Sequence, residues 1–88
     1  MARPKKERRI FGKVICKEFV PVNGCIDYTC LRRDEFEALK LKDFDQLDQK
    51  HAALKMRISQ PTFHRILLAA RKKISDALVN GKEIVIKG

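Results

Sequence analysis

Apolar positions return at helical spacing in three stretches of this chain. Between Arg33 and Asp43, Phe36 and Leu39 fall on one face with Ala38 beside them. Asp34, Glu35 and Glu37 occupy the first turn, where acids suit the helix dipole. This predicts a first helix over about 33–43. Asp45-Gln46-Leu47 reads as a short connector, and Asp48 as the cap of a second helix over about 48–56. After Arg57-Ile58-Ser59 a third helix is predicted over about 60–79, stopped by Asn80-Gly81. Its inward face reads Phe63, Ile66, Leu67, Ala70, Ile74, Ala77 and Leu78, at i, i+3, i+4, i+7 spacing.

Outside these stretches the pattern changes. Ile10 to Val22 is β-branched and aromatic, which predicts one or two short strands over 10–22, ended by the Pro21-Val22-Asn23-Gly24 turn signal. Residues 25–32 give no clear pattern. Glu83-Ile84-Val85-Ile86 predicts a strand over 83–86, open to pairing with the Ile10 region or with another subunit. The expected fold is mainly α, with three helices and short N- and C-terminal β-strands in a single domain over 10–88, preceded by a flexible basic arm over 1–9.

The run from Gln49 to Ile66 has the spacing of a helix-turn-helix. Ala52, Met56, Ile58, Phe63 and Ile66 are the apolar positions two short helices need when a tight turn folds them together at roughly 90–120°. Ala53 lets the second helix approach the first closely. Ser59 stands where an N-cap is wanted, and Pro61 falls in the first turn, where its missing N–H costs nothing. Arg57 occupies the turn position where Gly is usual, because the turn there asks for positive φ.

In such motifs the second helix enters the major groove with its N-terminal residues toward base edges. Here those are Ser59, Gln60, Thr62, His64 and Arg65, since Phe63 and Ile66 must point inward. Gln60 can pair with adenine in bidentate fashion; Arg65 can pair with guanine or hold a phosphate. Arg71, Lys72 and Lys73 lie further along, where backbone phosphates are within reach, and Lys50, Lys55 and Arg57 are further candidates. The alternative is a helical hairpin that binds protein.

Charge favours the nucleic acid. The net charge of +9 and a pI near 9.8 suit a polyanionic partner, and the charges are segregated. Residues 1–20 hold seven bases and two acids, 34–48 six acids and two bases, and 57–73 five bases and no acid. The N-terminal arm has the composition to lie along phosphates or in a minor groove. With five Phe and one Tyr, most of them needed for the core, a base-stacking platform for single-stranded RNA is not expected.

Other classes fare worse. Eighty-eight residues built on three helices leave little room for a catalytic pocket, and no enzyme activity or cofactor is expected. No apolar run approaches the ~20 residues of a membrane span, and no signal peptide is visible, so a cytoplasmic protein is expected. Cys16, Cys25 and Cys30 lack a C-x-x-C pair; with His51 or His64 they offer the alternative of a metal- or redox-responsive regulator, at an unfamiliar ligand spacing. A core of this modest size makes a homodimer a natural expectation.

The runs Asp34 to Asp43, Ser59 to Leu67 and Ala70 to Lys82, with the Met1-Ala2-Arg3-Pro4-Lys5-Lys6 start and Phe19-Val20-Pro21, closely resemble the small prokaryotic proteins of uncharacterised protein family 0251, also called domain of unknown function 134. Their central region is in turn similar to region 4 of sigma-70-type factors. The resemblance implies a DNA-binding protein with a sigma-region-4-like helix-turn-helix and supplies no catalytic residue. This chain departs from the family pattern at Arg57, where Gly is usual, at Lys50 and His51, where Glu is usual, and at Gln60, where Arg is usual.

Overall fold

The segments least legible in the sequence meet in one sheet. The computed structural model describes residues 9–88, so all of the expected basic arm except Arg9 lies outside the described residues. Strands β1 (Glu18–Phe19) and β2 (Tyr28–Arg32) precede helices α1 (Arg33–Leu39), α2 (Gln49–Met56) and α3 (Gln60–Asn80), and β3 (Glu83–Lys87) follows. The sheet order is β1-β3-β2. The last strand is therefore the central one, antiparallel to β1 with Phe19 opposite Ile84, and parallel to β2 from Tyr28 opposite Glu83 to Arg32 opposite Lys87. A parallel pair needs a long crossover; here all three helices supply it.

Several expectations need correction. Of the strand expected over 10–22, only Glu18–Phe19 is regular; the residues before it run as an irregular strap across α1. The strand expected at 83–86 pairs with the 10–22 stretch through Glu18–Phe19, as one of the two expected alternatives has it, but over more of its length with β2, which lies in the unread stretch 25–32. The first helix does not continue regularly to residue 43: α1 widens into a π-helical turn at Lys40–Phe44. Leu78, placed on the inward face of α3, is 75% exposed, because by its last turn the helix has run beyond the core and only Ala77 remains covered.

The helix boundaries follow local chemistry. The Asp48 carboxylate accepts the His51 N–H at 2.8 Å and caps α2, and the Ser59 hydroxyl accepts the Thr62 N–H at 3.3 Å to cap α3. Gly81, at φ 65°, ends α3 in the left-handed conformation. Arg57 ends α2 in the same conformation, at φ 56° and ψ 45°, so a long charged side chain sits where glycine would be unstrained.

Two apolar clusters share α3. Ala38 and Leu41 pack with Ala52, Ala53, Met56, Phe63, Ile66 and Leu67 in the first. Leu31, Ala70 and Ile86 form the second, with Val14, Phe36, Ile74 and Ile84 against them. Two of the acids placed in the first turn of the first helix are buried, Glu35 at 1% and Glu37 at 0% exposure. Glu35 accepts the Arg32 N–H at 2.9 Å and the Lys73 ammonium at 2.7 Å. Glu37 accepts the Gly12 N–H at 2.6 Å, while Arg33 donates to the Gly12 carbonyl at 2.9 Å. A Cβ at residue 12 would lie 2.5 Å from a Glu37 carboxylate oxygen and 2.8 Å from Lys40 Cδ, so a larger residue there displaces these side chains and the hydrogen bond that Glu37 makes to the strap.

Two stability changes of opposite sign follow. Gly12→Ala forces the strap off α1 and destabilises by about 1–3 kcal/mol, as overpacking does. Arg57→Gly relieves about 1–2 kcal/mol of left-handed strain against about 0.5–1 kcal/mol of added unfolded-chain entropy, leaving a net gain of about 1 kcal/mol or less. Urea unfolding with an unchanged slope measures both.

Candidate nucleic-acid interface

The second cluster leaves α3 with its sheet-side face covered; the first holds α2 against its N-terminal half. Phe63, Ile66 and Leu67 turn inward onto Ala52, Ala53 and Met56, and the three-residue turn Arg57-Ile58-Ser59 joins the helices. Because both alanines are buried, the two helices approach closely. This packing leaves Gln60, Pro61, His64 and Arg65 exposed on the first turns of α3, with Thr62 half-buried among them.

Thr62, His64 and Arg65 are held by neighbouring side chains. The Ser59 hydroxyl donates to Thr62 Oγ1 at 2.9 Å, and Arg65 Nη2 donates to the same oxygen at 3.3 Å. With both bonds arriving at its oxygen, Thr62 keeps its own proton to offer outward. Across the turn, the Gln49 side-chain amide lies 2.9 Å from His64 Nδ1. With the amide as donor, Nδ1 is the acceptor. Gln49 was not among the residues singled out in the sequence; the available signal was its place in the first turn of the helix that packs on α3.

The remaining candidates divide. Lys50, Lys55 and Arg57 are exposed on α2 and the turn, and Lys72 is exposed on α3. Arg71, expected to reach phosphates, is engaged by Asp43 of the π-helical turn, with Nε–Oδ2 3.1 Å and Nη2–Oδ1 2.5 Å. Lys73 is committed to Glu35 and to the Cys30 carbonyl at 2.9 Å. Both cations thus tie α3 to the rest of the fold, a role visible only once residues far apart in sequence are brought together. The Arg71 guanidinium holds the Asp43 carboxyl below its ordinary range, chiefly through their hydrogen bond. His51 does the same for Asp48, first through its backbone N–H and then through its ring.

Among the described residues, no group of three or more His, Cys, Asp or Glu side chains is arranged to hold a metal ion. Cys16 is exposed, and Cys25 and Cys30 are half-buried. Among the same residues no helix is long and apolar enough to cross a membrane.

The Asp43–Arg71 pair carries a pH dependence. A carboxyl whose folded pKa is depressed contributes stability that is present above its unfolded pKa and is lost as pH falls through the folded value. Both side chains are more than a third exposed, so the contribution stays below about 1 kcal/mol. In Arg71→Ala the Asp43 carboxyl returns toward the ordinary carboxylate range, and a carboxyl-carbon NMR titration reads this directly.

No solved structure matches the chain. Its relatives are known by sequence. The chain is 46% identical over its whole length to a UPF0251 protein of Methanothermobacter thermautotrophicus, of which it covers 47%. It is 47% identical to one of Caldicellulosiruptor saccharolyticus, of which it covers 63%, and 42% identical to one of Thermoanaerobacter pseudethanolicus, of which it covers 77%. The chain thus spans about half to two thirds of the first two relatives. The family described as "Protein of unknown function DUF134" matches residues 1–88, and with relatives this similar along its full length the chain belongs to the DUF134, or UPF0251, family.

Proposed function

We propose that the chain binds double-stranded DNA in a sequence-dependent way through α2 and α3, as a helix-turn-helix of the sigma-region-4 kind, and acts as a transcriptional regulator. The observation that carries the reading is the α2–turn–α3 unit. Ala52, Ala53, Met56, Phe63 and Ile66 are buried together, and Arg57 holds the left-handed turn. The donors and acceptors of Gln60, Thr62, His64 and Arg65 are thereby left on one exposed helical end.

The chemistry of that end suits base edges. Gln60 matches adenine, Arg65 matches guanine or a phosphate, and the Thr62 hydroxyl serves either donor or acceptor bases. The hydrogen bonds that hold Thr62 and Arg65 favour recognition, because side chains already fixed lose less entropy on binding. Lys50 and Lys72 flank this end and suit phosphates, as does the net charge of +9. Arg71 is left out of the contact set, since its guanidinium is already paired with Asp43.

The test is selection of bound duplexes from a random DNA pool at about 150 mM salt, where purely electrostatic binding is weak. An enriched motif supports the reading, paired half-sites one helical turn apart add a homodimer, and no enrichment overturns sequence-dependent binding. On the selected duplex, Arg65→Ala costs about 1–3 kcal/mol and relaxes preference at one position, whereas Lys72→Ala weakens every sequence alike. Equal losses on all sequences from both changes remove the base-reading role of Arg65.

A further inference from the structure

We propose that Arg9, Lys55 and Arg57 form a second grip on the DNA backbone, at the turn between α2 and α3. This rests on the DNA-binding reading above and adds to it a residue from a part of the chain remote in sequence. The Arg9 N–H donates to the Met56 carbonyl at 3.1 Å, which fastens the N-terminal strap to the last turn of α2. The Arg9 guanidinium lies over the Phe11 ring, 5.9 Å from its centroid, so its side chain is held as well as its backbone.

The anchored strap makes one wall of an open recess of about 470 Å³ whose lining includes Arg9, Phe11, Glu37, Lys40, Lys55 and Arg57. Four of its eight lining residues are cationic. Lys40 is paired with Asp45 at 2.8 Å; Glu37 gives Oε1 to the Gly12 N–H and keeps Oε2 buried without a hydrogen-bond partner, one carboxylate against three remaining cations. Arg9, Lys55 and Arg57 have no ion-pair partner among the described residues, and all three are exposed. Like charges brought to one place repel, and here the fold sustains that arrangement with a hydrogen bond, a ring contact and a left-handed arginine. The same turn begins α3, so a duplex lying on Gln60 and Arg65 brings its phosphates toward these cations. A phosphodiester backbone is the partner this charge fits, since phosphate contacts position a protein on DNA without reading sequence.

The salt dependence of duplex binding tests the assignment. Wild type is compared with a triple variant, Arg9→Gln, Lys55→Gln and Arg57→Gly. A control removes the same charge from the strap and sheet, as Lys13→Gln, Lys17→Gln and Lys87→Gln. Thermal melting establishes that each variant is folded, and Arg9→Gln alone serves as the mildest change.

Loss of three phosphate contacts lowers the slope of log affinity against log salt by about 2.7, and Arg9→Gln alone by about 0.9. Between 50 and 200 mM salt, the triple variant then loses about 40-fold less affinity than wild type does. The control leaves the slope near that of wild type, and the base preference found by selection is unchanged. An unchanged slope in the triple variant, or an equal fall in the control, overturns the proposal while leaving the α3 reading intact. A wild type that binds no duplex overturns both.

Discussion

A single buried carboxylate joins the three parts of this molecule. Glu35, at 1% exposure, takes the Arg32 N–H where β2 becomes α1 and the Lys73 ammonium from the middle of α3. Lys73 in turn reaches the Cys30 carbonyl of β2. A carboxylate removed from water is costly unless it is paired, and the two donors that meet at Oε1 offset the cost of its burial. β2 is an edge strand, and its backbone polar groups at Cys30 and Arg32 are occupied by these side chains, which blunts an edge otherwise open to pairing with another strand.

Glu37, about half a turn along, has a single partner: its Oε1 takes the Gly12 N–H, while Oε2 is buried with no hydrogen-bond partner among the described residues. By holding the Gly12 N–H while Arg33 holds the carbonyl, α1 fixes the strap that continues to Arg9. The strap then reaches the end of α2. The inner face of α1 is therefore partly ionic, and the order it imposes reaches the turn before α3. The Asp43–Arg71 pair does the complementary task from the π-helical turn, fixing the middle of α3. Between them, these contacts set the position of the helix that carries Gln60 and Arg65.

What could be read from the sequence was local. The Asp48 and Ser59 caps, the Asn80-Gly81 stop and the left-handed demand at Arg57 all depend on residues within one turn, and all were visible in the chain. Most of α3's inward face was legible because helical spacing alone assigns it; Leu78 failed because periodicity does not say where the core ends. β2 was missed because its register depends on β3, far along the chain, and its Tyr-Thr-Cys-Leu-Arg sequence has no strong alternation. The burial of Glu35 and the loss of Arg71 to Asp43 were hidden for the same reason, since a charge reads as exposed until its distant partner is known. Of the candidate site, the residues of the first turns of α3 were legible, while Arg9 was legible only as the end of a basic arm, since its place beside α2 depends on the distant Met56 carbonyl.

The order of the strands has a consequence for how the chain acquires its structure. β1 and β2 do not pair with each other; both pair with β3, which lies between them and follows the whole helical segment. Neither early strand can complete its hydrogen bonds until α3 has brought the final strand into place. Loops must close over most of the chain before the sheet rewards them, and contacts of such long sequence separation slow folding. Sheet formation and helix docking are accordingly one cooperative event, in which the three-helix unit acts as the template and β3 as the closing step.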